Sequence, residues 1–337
     1  MAENGEKNLT ADKPPFPFFG GKSRIASRVW RAFGDVPNYV EPFAGSLAVL
    51  LSRPSTPQTE TVNDLDRFIA NFFRAVQRDP SAVAEAADWP VNEADLEARH
   101  FWLITEGRKR TEALLTDPEA FDAQVAGWWV WGQACWIGSG WCSGEGPWVV
   151  GEDGWTMRNP GQGVNRQLPH LGNPGQGVNR QLPHLGDPGK DHPHRAHLIG
   201  YMMRLAHRLR YVRVACGDWT RVLTPSITDR FGLTAVFLDP PYGEGKVDYS
   251  AGGNRTDIAD AVREWAIEHA ANRNMRIALC GYDGQHDMPA DWRIIEWRAA
   301  GGYSSTAAND TQGKVNRHRE RIWFSPHCVG KAKTLFE

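Results

Sequence analysis

The tetrapeptide Asp239-Pro240-Pro241-Tyr242 follows directly on the apolar run Thr234–Leu238, TAVFL. Asp239 supplies a carboxylate and Pro240 a main-chain carbonyl, two acceptors on adjacent residues. The prolines stiffen the backbone and carry no N–H, so the carbonyls meet no competing local donor. Such a pair suits the exocyclic amine of a heteroaromatic ring. The lone pair of that amine is conjugated with the ring and is a poor nucleophile. If Asp239 and the Pro240 carbonyl accept both N–H hydrogens, the nitrogen can become tetrahedral and attack a methyl sulfonium. Tyr242 offers an aromatic face on which a base rotated out of a duplex can stack. No covalent enzyme intermediate is needed, so the chemistry is positioning and electrostatics. Chance yields this tetrapeptide in about one chain in a thousand of this length, and ligands of open α/β sheets bind beyond the carboxyl ends of strands. The plainer reading is a strand-terminating turn with an exposed Asp and Tyr.

Three further segments carry residues with possible ligand roles. Tyr39-Val40-Glu41-Pro42-Phe43-Ala44-Gly45-Ser46 joins a strand signal to a helix signal. Gly45 permits close approach of a ligand to the backbone, and a following helix start offers free N–H groups. Val62-Asn63-Asp64-Leu65-Asp66 comes about twenty residues later, where an acid can bind ribose hydroxyls. The alternative for these acids is helix capping, which is more natural for Asp66 than for Asp64. Phe16-Pro17-Phe18-Phe19-Gly20-Gly21-Lys22 can hold an anion through its Gly-Gly-Lys, but it lacks the spacing of a P-loop.

The elements that must position these residues alternate. Helical spacing is predicted over 23–33, 44–51, 67–76, 199–209 and 258–271, and strands over 38–41, 59–63, 212–216, 234–238, 275–279, 293–297 and 321–324. The pattern predicts an α/β chain with a parallel sheet. It divides into a leader, 1–15, read as disordered; a discontinuous domain, 16–90 and 197–337; and an insertion, 91–196. The insertion holds Trp128, Trp129, Trp131, Trp136, Trp141, Trp148 and Trp155, then the fourteen-residue repeat NPGQGVNRQLPHLG at Asn159–Gly172 and again at Asn173–Gly186. Its Pro and Gly content forbids continuous helix or central strand.

Taken together, these segments resemble the Dam-like (D12 class) adenine-N6 DNA methyltransferases. That family shows an aromatic residue before Gly-Gly-Lys, then EPF-x-G, then N-D-x-[DN], and later DPPY, and all four stand here in that order. The resemblance spans residues 16–76 and 212–324, with NRHRERIWFS (Asn316–Ser325) similar to the family's closing strand. It implies a Rossmann-like S-adenosylmethionine-dependent methyltransferase sheet with an inserted target-recognition region, acting on double-stranded DNA, as a monomer or weak dimer. Carried over by position, Asp239, Pro240 and Tyr242 would be catalytic. Phe18, Gly20, Lys22, Glu41, Pro42, Phe43, Gly45, Asp64, Asp218 and Asp239 would surround the cofactor, S-adenosyl-L-methionine. Gly45 would lie under its methionine part, Asp64 on its ribose and Asp218 near its adenine. The chain departs from the family at Leu47, where a second glycine is usual, at Phe18, where tryptophan is usual, and in its repeats.

Bulk properties bound the reading. The chain has 337 residues and a net charge of −2, so it carries no overall basic signature. Five arginines between Arg195 and Arg213, and the group Lys314, Arg317, Arg319 and Arg321, form local basic stretches able to attract phosphate or simply to be solvated. The polar N-terminal stretch has no apolar h-region of a signal peptide, and five cysteines without paired spacing suit a reducing cytoplasm. No membrane partner is expected. His170, His184, His192, His194 and His197 with Cys135 and Cys142 form no tight metal-ligand pair, so no metal is expected. The tryptophans can stack on bases, with Asn165, Arg166, Asn179 and Arg180 reaching phosphates, or they can fill a core. No cysteine follows a proline, against cytosine-C5 chemistry. Cytosine-N4 methylation and a non-catalytic DNA-binding paralogue remain as alternatives.

Overall fold

The computed structural model describes residues 13–18, 21–55, 58–117, 119–136, 141–142, 148–151, 154–157, 194–241, 255–297 and 319–330. Among them the strands β1 (Asn38–Glu41), β2 (Thr59–Asp64), β5 (Val212–Cys216), β6 (Thr234–Leu238), β7 (Met275–Tyr282), β8 (Arg293–Glu296) and β9 (Glu320–Phe324) form one sheet. A separate antiparallel pair joins β3 (Trp148–Gly151) to β4 (Gly154–Met157). The seven-stranded sheet has the order β5-β2-β1-β6-β7-β9-β8, and only β9 runs against its neighbours. The chain builds outward from β1 through β2 to β5, then returns to the other side of β1 with β6 and β7. The direction of winding therefore reverses between β1 and β6, the place where open α/β sheets form a ligand crevice at their carboxyl ends.

β1 and β6 are buried along their whole length, as a sheet covered on both faces requires. Alternate residues serve opposite layers. Tyr39, Ala235, Phe237, Ala278 and Cys280 join a core shared with α1 (Ala26–Phe33), α2 (Ala48–Leu51) and α3 (Arg67–Arg78). Val40, Val236, Leu238, Ile277 and Leu279 pack on the other face with Val262 and Ala266 of α10 (Arg255–His269). This two-residue period is what the strand pleat imposes.

Residues 80–135 are helical: α4 (Pro80–Ala87), α5 (Glu93–Trp102), a π turn (Leu103–Gly107), α6 (Arg108–Glu112) and α7 (Ala123–Cys135). With α8 (His194–Leu209), α4 and α7 extend the layer begun by α3. α7 is apolar but for Gln124 and Gln133 and has no polar face, as a largely enclosed helix requires. Two glycines let it pack closely. A Cβ on Gly127 would lie 2.4 Å from Ala86 Cβ, and one on Gly132 would lie 1.8 Å from the Trp141 ring. Trp129, Trp131, Trp136 and Trp141 are buried in the same core as Phe16 and Phe72. For these four the core-filling reading holds. The side chains of Trp148 and Trp155 and both repeats lie outside the described residues.

Several boundaries differ from the sequence reading. The helix expected over 44–51 is only Ala48–Leu51, because Gly45 and Leu47 take positive φ of 47° and 59°. α1 begins at Ala26 rather than at residue 23, and α8 begins at His194. β7 runs on to Tyr282. Helices α4 and α7 and the β3–β4 pair had not been resolved from the sequence. The basic stretch after Arg195 is also partly spent internally. Arg195 pairs with Glu85, and Arg208 holds buried Glu60 through both guanidinium nitrogens at 2.6 and 2.9 Å. No helix among the described residues is long and apolar enough to cross a membrane.

Candidate functional site at the carboxyl edge of the sheet

The motif residues converge on the carboxyl ends of β5, β2, β1 and β6. Asn63 stitches three of these tips together: its Nδ2 donates to Pro42 O at 3.1 Å and to Gly217 O at 2.9 Å. Ala44 N donates to Asn63 O, and Gly217 N to Asp64 O, at 2.9 and 3.1 Å. Asp64 accepts from Gly45 N and, through its other oxygen, from Asp66 N, both at 2.9 Å. Burial first, then the charge of Asp66, pushes the Asp64 carboxyl up to about 7. Asp64 thus has a structural task, holding the Gly45 turn, that its sequence position did not reveal. Asp66 is the N-cap of α3 and accepts from Phe68 N at 2.8 Å. Asp218 caps the 3-10 turn Trp219–Val222 through Thr220 N at 3.0 Å, while its carboxylate is exposed.

Gly45 is required by what lies on it. A Cβ there would approach the Phe18 ring to 2.8 Å, so Phe18 and Gly45 meet although 27 positions separate them in sequence. Two residues on, Leu47 occupies the left-handed region with a fully buried side chain. The usual glycine is absent, yet the backbone shape that a glycine favours is kept, at a cost of about 1–2 kcal/mol.

Asp239 ends β6 with its side chain 22% exposed, and its Oδ2 lies 2.8 Å from Lys22 Nζ. Lys22 is buried just ahead of α1, and Gly21 N donates to Phe18 O at 3.0 Å in the turn that delivers it. The lysine sits 5.8 Å from the centroid of the buried Trp297 ring. Burial opposes the Lys22 charge most strongly, but the surrounding acidic groups, Asp239 first and then Cys280 and Glu320, together outweigh it, and the net pKa is raised. Glu41 is buried and accepts from Tyr39 OH at 2.9 Å. Burial drives its carboxyl well above the usual range, with Asp239 adding to the rise. Pro42 and Pro240 are buried, and Phe43 faces Trp219 with ring centroids 6.3 Å apart. Gly20 and Tyr242 lie outside the described residues.

Sequence reasoning missed Cys280, Glu320, Trp297 and the bridging role of Asn63. β6 and β7 pair Leu238 with Leu279, so the next pair is Asp239 and Cys280, and burial first, then the Asp239 charge, raises the Cys280 thiol. β9 runs antiparallel and starts at this edge, with Glu320 opposite Tyr282. A DPPY tip invites inspection of the next strand's end, but only register identifies the residue there. Among the described residues no three His, Cys, Asp or Glu side chains group as metal ligands.

Residues 18–116 match the family model of the D12 class N6 adenine-specific DNA methyltransferases. The match covers Phe18, Lys22, the Glu41–Gly45 segment and Asp64, and ends before Asp218 and Asp239. No curated protein matches the chain.

Proposed function

We propose, on the premise of that family match, that this chain is a site-specific DNA methyltransferase acting on the N6 amine of adenine, with S-adenosyl-L-methionine as cofactor. The observation that carries the reading is Asp239 at the tip of β6, beside the reversal point of the sheet and within 2.8 Å of a lysine from the family-matched segment. The tips also suit a nucleoside-bearing ligand. Asn63 Oδ1 is buried without a hydrogen-bond partner at the tip of β2. We assign Phe18, Gly20, Lys22, the Glu41–Phe43 turn, Gly45, Asp64, Asp218 and Asp239 to the cofactor's surroundings. Asp64 keeps a second lone pair on each oxygen for a ribose hydroxyl. The cofactor supplies an electrophilic methyl carbon.

The chain's own residues do the rest. Asp239 and the Pro240 carbonyl accept the two amine hydrogens of an adenine flipped from the duplex, and Tyr242 stacks on its ring. With that cofactor held there, the amine nitrogen would take its methyl group, the bonding pair staying on the cofactor's sulfur, and Asp239 would accept the proton that the amine sheds. We assign 16–90 and 197–337 to this catalytic domain in a Rossmann-like sheet, and 91–196 to target recognition, with double-stranded DNA as substrate for a monomer or weak dimer in the cytoplasm. Helices α5 and α7 then anchor the recognition segment, since they share the sheet's core.

Methylation-aware sequencing of DNA from cells expressing the chain tests the proposal. N6-methyladenine at a fixed sequence motif is expected. N4-methylcytosine in its place, or unmodified DNA together with no calorimetric binding of S-adenosylmethionine, would overturn it.

A further inference from the structure

We infer that Lys22 is a positioning residue for Asp239: its ammonium, shared between the carboxyl groups of Asp239 and Glu320, keeps Asp239 ionised and oriented as a hydrogen-bond acceptor. The inference rests on the assignment of Asp239 to the target amine. It adds a role for Lys22 that does not pass through the cofactor.

The pleat gathers the cluster. Glu41 continues the alternation of Tyr39 on β1, Asp239 that of Phe237 on β6, and Glu320 that of Ile322 and Phe324 on β9. Tyr39, Phe237, Cys280, Ile322 and Phe324 all belong to the core on the α1 side. The sheet therefore turns three carboxyl groups and a thiol toward one face at one edge, and Lys22 enters on that face from the turn before α1. Its Nζ lies 2.8 Å from Asp239 Oδ2, with the lysine side chain 4% exposed. Asp239 is felt by Glu41, and Glu320 by Lys22.

Carboxylates gathered out of water repel one another, and without a cation at least one takes up a proton. A protonated Asp239 would present an O–H donor where the amine needs an acceptor. The groups facing Asp239 are Lys22 from the first turn, Glu41 from β1, Cys280 and Tyr282 from β7, and Glu320 from β9 through Lys22. Burial raises the Cys280 thiol and, to a lesser degree, the Tyr282 phenol. Both stay neutral at physiological pH, which leaves Lys22 as the cation of this set.

The test compares the full-length chain with Lys22→Gln, Lys22→Arg and Glu320→Gln. Single-turnover methyl transfer to unmethylated mixed-sequence duplex DNA is measured from pH 5 to 9, with calorimetric Kd for S-adenosylmethionine. A ¹³C-carboxyl titration, assigned against Asp239→Asn, follows Asp239 without any methyl donor. Lys22→Gln should cut the rate at pH 7 at least about tenfold and move the acid limb up by about one pH unit or more, the usual effect of losing an adjacent opposite charge. Lys22→Arg should restore the limb, because charge is what counts, whatever contact Lys22 also makes with the cofactor, which the Kd reads separately. Glu320→Gln, which frees the ammonium from a competitor, should move the limb down, and it carries the test if Lys22→Gln does not fold. An unmoved acid limb in both variants, or a cofactor Kd weakened more than tenfold with the limb in place, would overturn the inference. Wild-type protein that methylates no adenine sinks the functional proposal instead. The Asp239 titration then still decides the role of Lys22, an upward shift in Lys22→Gln supporting it and no shift refuting it.

Discussion

Two regions of this molecule bury polar groups, and they handle them in opposite ways. At the carboxyl edge of the sheet, Lys22, Asp239, Glu41 and Asp64 are met by ion pairs, hydroxyls and backbone N–H groups. In the helical layer, Arg99 and His100 are met by rings. The Arg99 guanidinium lies 4.6, 4.8 and 4.6 Å from the centroids of Trp89, Trp128 and Trp131. His100 is fully buried, stacks on Trp136 at 4.9 Å, and has no hydrogen-bond partner at either ring nitrogen. A buried group with directional, charged partners is held in one geometry, which chemistry needs. A group held by aromatic faces gains packing and cation–π attraction without a fixed direction. The tryptophan-rich segment, which drew attention as a possible surface for bases, is for its buried members the second kind of region.

The contrast can be broken most forcefully at Asp239. Asp239→Ala should lower methyl transfer at least about a hundredfold, in line with removing one preorganised polar contact. It should also lower stability by up to about 3 kcal/mol, because buried Lys22 loses the carboxylate nearest its charge. Adding Lys22→Met should recover stability and not activity. An active single variant would remove Asp239 from the chemistry, and a double variant no more stable than the single would show that the ion pair is not what Asp239→Ala costs. Trp129→Ala should cost about 3–5 kcal/mol through the cavity it leaves, read as a lower urea midpoint. A variant of normal stability with weakened DNA binding would instead make Trp129 a recognition residue.

Leu47→Gly should cost about 1–2 kcal/mol. It regains the left-handed strain, about 1 kcal/mol, but gives up a buried leucine worth about 2–3 kcal/mol. A more stable variant would mean that strain dominates this turn.

The smallest effect separates the two regions by pH. Asp64 has a folded pKa of about 7 against 3.8 unperturbed. Its favourable contribution is therefore full below pH 3.8 and is lost as pH rises toward 7. His100 is lowered to about 4 from 6.5, first by burial and then by Arg108. Its contribution is full above pH 6.5 and is lost as pH falls toward 4. Asp64→Asn and His100→Phe should change the slope of Tm against pH in opposite senses across these windows, each by on the order of 1 kcal/mol in stability. Slopes that change in the same sense would undo the contrast.

Much of the sheet could be read from the chain. The apolar run Thr234–Leu238 is β6 residue for residue, because a strand covered on both faces is apolar along its length and stops at turn residues, and Asn38–Glu41 is β1, with its apolar pair Tyr39-Val40 between buried polar ends. Boundaries slipped where conformation overrode pattern. Ala44–Leu51 has helical spacing, yet its first turn is unwound by the Gly45–Leu47 bend, which the Phe18 ring and Asp64 fix from outside the segment. α7 was hidden because an enclosed helix has no polar face, and so no period to detect.

The sequence alone determined which side chains stand at the strand tips: Glu41, Asp64, Asp218 and Asp239 each stand at or just past the end of a strand legible in the chain. The tertiary structure alone decided which of them meet. Lys22 and Asp239 are 217 positions apart, and only the return of the chain across β1, together with the pleat and register of β6 against β7, sets that ammonium, that carboxylate and the Cys280 thiol on one face. Side-chain identity is written locally, but a buried charge is tolerable only beside a partner that folding brings from far along the chain.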